Sequence, residues 1–180
     1  MATNYQDRFI AAQALLRDRP AEALQAFTAL THLTEGLASE ARIRDFQLAA
    51  DKPAQLAGTE IGEDAGPDPA ELVLAALGAC QEATYRLYAD TLGIPLRHVS
   101  VKVTGRIDLR GLFAVTDSVR PGFRDIRAVV TIDSPASIED IERLKVTVDR
   151  HSPVLDMLRN VTPVQTSLDL VNGAARPAAA

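Results

Sequence analysis

Cys80 is the one cysteine in a chain of 180 residues, and it lies in the most apolar run of the sequence, Leu72–Cys80 (LVLAALGAC). A lone thiol cannot close an intramolecular disulfide or join a multi-cysteine zinc site. If it does redox chemistry, the second sulfur comes from another molecule. Two readings are open at this point. Cys80 is a small buried hydrophobe, as free cysteines in apolar runs commonly are, or it is a reactive thiol whose chemistry depends on a stabilised thiolate. Glu71 is no partner for it, because nine residues at about 100° each set the two on opposite faces of a helix. The three histidines, His32, His98 and His151, have no ligand-type spacing, so no metal site is expected. No glycine-rich phosphate loop and no serine in a nucleophile elbow is present, and no cofactor is expected. The arginines at 106, 110, 120, 124 and 127 are interleaved with Asp108, Asp117 and Asp125, and read as a solvated, charge-balanced surface.

The element that must position Cys80 has sharp ends. Asp68 is a good N-cap, Pro69 suits the first helical position and Glu71 completes a capping box. The helix is expected to run to about Leu92 and stop at Gly93, with Pro95 beyond. Its first half is apolar all round, which predicts burial on every side. In a domain this small, that means cover from a partner subunit as well as from the chain's own sheet. Thr84 and Tyr88 lie one and two turns past Cys80 and are placed to line a pocket beside it.

Around this helix the pattern is α+β. Tyr5–Arg17 has the spacing of a short amphipathic helix. Leu24–Thr34 is ambiguous between helix and strand. A β-hairpin is expected across Gly36, with Ala41–Ala49 as its second strand. Asp51–Asp68, with its prolines and glycines, reads as a connector largely without regular structure. Val99–Ile107 and Phe123–Asp133 alternate as strands, separated by a polar excursion. A helix is expected from Ser134-Pro135, broken at His151-Ser152-Pro153 and followed by a helical turn or two over Val154–Arg159. Val164, Thr166, Leu168 and Leu170 predict a closing strand. The division expected is an N-terminal helical extension over 1–23, one domain over 24–172 and a disordered tail over 173–180.

A net charge of −5 argues against nucleic acid or an anionic membrane as partner. No run approaches the ~20 apolar residues that span a bilayer, and Met1–Arg8 lacks a signal pattern. With one cysteine and no signal, a cytoplasmic location is expected.

Pro67–Gly93 (PDPAELVLAALGACQEATYRLYADTLG) resembles the central helix of the OsmC/Ohr superfamily, the osmotically inducible and organic-hydroperoxide-resistance proteins. DLRG at Asp108–Gly111, RPGF at Arg120–Phe123 and HSPVLDML at His151–Leu158 agree in order, so the resemblance runs from about Leu33 to Leu170. It implies an OsmC-like fold: a β-hairpin, then a long buried central helix wrapped by antiparallel sheets in an intertwined homodimer. It also implies a cysteine that reduces organic hydroperoxides, a second cysteine that resolves the sulfenic acid as a disulfide, and an external dithiol that resets the pair. Cys80 matches the attacking cysteine. Ser152 stands where relatives commonly carry the resolving one, which rules out the internal disulfide. The helix-start glutamate of the reductases falls on Ala70. The arginine that orients the thiolate comes from the region before the helix, where Arg42 and Arg44 lie, and Arg44 is taken as the candidate.

Two functions follow. One is a one-cysteine thiol peroxidase acting on small apolar hydroperoxides, with an external thiol as reductant. The other is a dimeric family member that binds a small apolar ligand and carries an inert, buried cysteine.

Overall fold

The computed structural model describes residues 5–170. The tail expected over 173–180 and the first residues of the extension lie outside them.

The helix that carries Cys80, α2 (Pro69–Leu92), has the boundaries its sequence dictates. The Asp68 side chain accepts from the Ala70 N–H at 2.8 Å, and Glu71 Oε2 accepts from the Asp68 N–H at 3.0 Å. These bonds satisfy donors that a helix start leaves orphaned. Lys52 Nζ holds the other Asp68 oxygen at 2.7 Å. At the far end Gly93 takes the left-handed conformation, φ +67°, that a side chain would resist.

One face of α2 packs on an antiparallel ribbon of β6 (His98–Ile107) and β7 (Phe123–Asp133). Gly105 of β6 makes room for this layer, since a Cβ there would run into the Phe123 ring and crowd Leu74. α4 (Ile138–His151) and α5 (Pro153–Arg159) pack on another side of α2. The core sits where these meet: Tyr85 and Ala89 of α2, Ile94 and Leu96 beyond it, and Leu144 and Val148 of α4. β7 follows α3, a single turn over Leu109–Leu112.

Before α2, the chain forms a three-stranded antiparallel sheet of β1 (Leu30–Leu33), β2 (Ser39–Ile43) and β3 (Phe46–Ala50). The hairpin across Gly36 is present, and the ambiguous Leu24–Thr34 resolves as a strand at its end. Ala41–Ala49 is not one strand. The chain reverses at Arg44-Asp45, with Arg44 at φ +54° and Ile43 opposite Phe46. This turn lacks the glycine that marks such reversals, which is why alternation alone ran through it.

The connector is pinned by Asp51, which is buried and accepts from the N–H groups of Lys52, Glu63 and Ala65 at 2.7, 3.0 and 3.2 Å. Burial alone raises its pKa, but the bonds from Ala65, Lys52 and Glu63 outweigh that and hold it below the ordinary carboxylate value. A small hairpin, β4 (Gln55–Leu56) with β5 (Thr59–Glu60), lies within the connector.

Two further expectations need correction. α4 starts at Ile138, capped by Ser137, because the Ser134 hydroxyl is engaged with the Pro95 carbonyl and the Ala136 N–H. Val164–Leu170 forms no strand and pairs with none among the described residues, and Val164, Leu168 and Leu170 are exposed. A ladder needs an open edge as well as alternation, and this segment meets none. The apolar start of α2 is covered by its own chain at Leu77 and Gly78, which are buried, while Val73, Ala75, Ala76 and Ala79 are exposed, on the side left for the expected second subunit. The chain's own sheet reaches one face of the helix only.

N-terminal to the sheet, α1 (Gln6–Asp18) lies against α2, followed by a short 3-10 turn (Pro20–Ala23). Among the described residues, no helix is long and apolar enough to cross a membrane.

Candidate functional site

Cys80 sits at the middle of α2 and is half-exposed. Its sulfur lies 3.4 Å from Oγ of Ser152, 72 positions along the chain. Ser152 is buried at the joint of α4 and α5. Its N–H donates to the Val148 carbonyl at 2.9 Å and its carbonyl accepts from Asp156 at 3.0 Å, so the backbone of both helices fixes the hydroxyl. Pro153 needs no N–H at the first position of α5, which lets α5 start directly after the joint.

The other candidates fall in different places. Thr84 is buried and donates its hydroxyl to the Cys80 carbonyl at 2.7 Å, a bond along the helix and not to the sulfur. Tyr88 is sandwiched between Phe9 of α1 and His151 of α4, with ring centroids 5.3 and 5.1 Å away. Burial pushes its pKa up. Arg44 lies in the turn between β2 and β3 with its guanidinium over the Phe46 ring, 5.2 Å from the centroid. Cys80 and Ser152 are therefore brought together. The polar neighbour of the sulfur is a neutral hydroxyl, and Arg44 is engaged elsewhere.

Beside this pair, a cavity of about 890 Å³ opens between α2, β7, α4 and α5, lined from α2 by Leu77, Gln81 and Tyr85. These three repeat every fourth residue and share one helix face, adjacent to Cys80 but not including it. Tyr85 is fully buried, and its hydroxyl finds no hydrogen-bond partner among the described residues. Burial, helped by the charge of Asp149, pushes its pKa up to about 12. The spacing alone was a usable signal for this face. The contact of His151 with Tyr88 left no mark in the sequence.

Two arginines of the arginine-rich surface are held in ion pairs. Arg106 pairs with Asp125 at 2.7 Å and Arg110 with Asp108 at 2.6 Å. The Arg110 side chain holds Asp108 down to about 2. Among the described residues, no cluster of three or more His, Cys, Asp or Glu converges to hold a metal.

A family model for OsmC-like protein matches residues 62–167, more than half of the chain. The protein belongs to the OsmC-like family. Solved structures agree on the fold. An OsmC-like protein from Mycoplasma pneumoniae is 24% identical, with a TM-score of 0.64 over 76% of this chain and 89% of that one. An organic hydroperoxide resistance protein OsmC from Legionella pneumophila is 21% identical, with a TM-score of 0.57 over 76% and 90%. An OsmC-like protein of unknown function from Vibrio cholerae is 11% identical, with a TM-score of 0.60 over 74% and 94%. No curated protein matches the chain in sequence. At these identities the likeness carries the OsmC-like fold, and the chemistry has to be argued from this chain's own residues.

Proposed function

We propose that this OsmC-like protein is a one-cysteine reductase of organic hydroperoxides. The Cys80 thiolate attacks the terminal peroxide oxygen, the O–O bond breaks, and the departing alkoxide takes a proton to leave as the alcohol. Cys80 is then a sulfenic acid. Ser152 carries no sulfur to resolve it. An external thiol attacks the sulfenic sulfur, releases water and forms a mixed disulfide, and a second thiol frees Cys80 as its own disulfide forms. Dependence on a small external thiol suits a reducing compartment such as the cytoplasm.

The observation that carries this reading is the Cys80–Ser152 pair. Cys80 is only partly buried, its sulfur lies 3.4 Å from the hydroxyl of the buried Ser152, and that hydroxyl can donate to a thiolate or to a sulfenate. The exposed apolar residues Val73, Ala75, Ala76 and Ala79 of α2 support a homodimer in which a second copy covers this face and completes an apolar approach for the substrate.

A second reading is favoured by the neutrality of the hydroxyl beside the sulfur. A thiolate is stabilised most by a neighbouring cation, and Arg44 is stacked on Phe46. On this reading the protein is a dimeric scaffold for a small apolar ligand, with an unreactive thiol. Turnover decides between them. The purified protein is expected to consume cumene hydroperoxide with dithiothreitol as reductant, and Cys80→Ser to lose that activity. Equal consumption by parent and mutant would eliminate the reductase reading.

A further inference from the structure

The thiol is joined to the N-terminal helix by an unbroken run of contacts. Phe9 of α1 meets the edge of the Tyr88 ring, and Tyr88 meets the ring of His151. Nδ1 of His151 lies 2.8 Å from the Thr147 carbonyl, so Nδ1 carries the proton and donates it. That bond pins the imidazole at the last turn of α4. Ser152 is the next residue, and its hydroxyl meets the sulfur. A second anchor holds α1 in place: the Tyr5 N–H donates to Asp90 Oδ2 at 3.0 Å, while Arg86 holds Asp90 Oδ1 at 3.1 Å.

This attachment is light. No residue of α1 is buried, and Ile10 and Leu16 are half-exposed. A helix of 13 residues is marginal in water by itself, so its order depends on docking. It also lies outside the matched family region, which begins at residue 62. α1 rests on Tyr88, the residue that meets His151 beside the thiol joint.

We propose that Phe9 is a positioning residue for Cys80: by packing against Tyr88 it holds His151, and through it the Ser152 hydroxyl, against the sulfur. When α1 lifts, water reaches Tyr88, His151 loses its ring partner, and the joint of α4 and α5 is free to relax. The hydroxyl then withdraws. A hydrogen bond given to a thiolate favours the charged form, so its loss slows the reaction of Cys80 with electrophiles at neutral pH. This concerns how the sulfur is held and stands independently of which oxidant the protein meets. The charged and titratable groups along the path are Arg86, Tyr88 and Asp90 on α2, Arg8 and Tyr5 on α1, and His151 on α4; substitution of Phe9 removes none of them.

The test is the pH profile of Cys80 alkylation by iodoacetamide, followed by mass spectrometry of the full-length protein. Phe9→Ala is expected to move the profile to higher pH by roughly half a unit, about threefold slower at neutral pH. Phe9→Asp is expected to do so at least as strongly, and Phe9→Tyr, which keeps a ring, to retain the parental profile. In a Ser152→Ala background, Phe9→Ala is expected to add nothing. Circular dichroism of Phe9→Ala and Phe9→Asp is expected to lose no more than the helical signal of α1, whose order depends on docking, and that of Phe9→Tyr to match the parent. An unchanged profile in both Phe9→Ala and Phe9→Asp overturns the proposal. So does faster alkylation, which would make α1 a mere cover, or an equal shift with and without the Ser152 hydroxyl.

Discussion

The two halves of this chain use apolar residues alike and bury them differently. In the half built from α2, β6, β7 and α4, Tyr85, Leu144 and Val148 are completely buried. In the sheet of β1 to β3, Leu33 is 68% and Phe46 61% exposed, and Leu48 is little better covered. The first set is covered because three layers of one chain converge on it. The sheet meets no such layer. On the homodimer proposed above, a second copy would supply the missing cover. The contrast teaches that alternation says which face of an element needs cover and is silent on which molecule supplies it.

The comparison can be broken or sharpened by substitution. The largest effect is expected in the closed half, where Leu144→Ala removes a fully buried side chain and should cost about 3 kcal/mol. Urea titration should give that loss at every protein concentration. Phe46→Asp, in the open half, should behave otherwise. Its cost should appear as a fall in dimer mass by light scattering and as a concentration-dependent melting temperature. A concentration-independent loss there would mean that the sheet belongs to the monomer's own fold.

A smaller effect is expected at Tyr85. Its phenol is held at about 12 in the fold, against about 10 in an unfolded chain. Between those values the folded state keeps a proton that the unfolded state gives up, so stability is intact below pH 10 and falls as pH rises towards 12. The loss amounts to at most about 2.7 kcal/mol. Denaturant midpoints measured across that window should decline less steeply in Tyr85→Phe. The smallest effect belongs to the helix start: Asp68→Ala should cost about 1 kcal/mol in thermal or chemical unfolding, again at every concentration. A loss several times larger would show that the bond from Lys52 matters more than the cap.

What could be read from the sequence divides along similar lines. The ends of α2 were legible because Asp68, Pro69, Glu71 and Gly93 act on their immediate neighbours. The strands β6 and β7 were legible because they pair with each other, and β6 lies against α2, within the same chain. The break at Arg44 was not, since a left-handed residue without glycine leaves no local sign. The start of α4 was misplaced by a rival serine, Ser134, whose hydroxyl is drawn to a carbonyl 39 positions away. Val164–Leu170 alternates as a strand should, but pairing is decided by an edge that the segment cannot specify. The site was legible in part. Cys80 stood out by its singularity, and Ser152 by the resemblance of HSPV to a motif that carries a second cysteine. Phe9, Tyr88 and His151 meet only through tertiary packing, and no spacing announces it.

The central claim is that the sulfur beside Ser152 attacks a peroxide. Its most direct test is to oxidise the protein with cumene hydroperoxide in the absence of thiol, trap with dimedone and map the adduct by mass spectrometry. The account predicts a dimedone adduct on Cys80 in the parent protein and none in Cys80→Ser. Recovery of Cys80 as unmodified thiol after that exposure would contradict it.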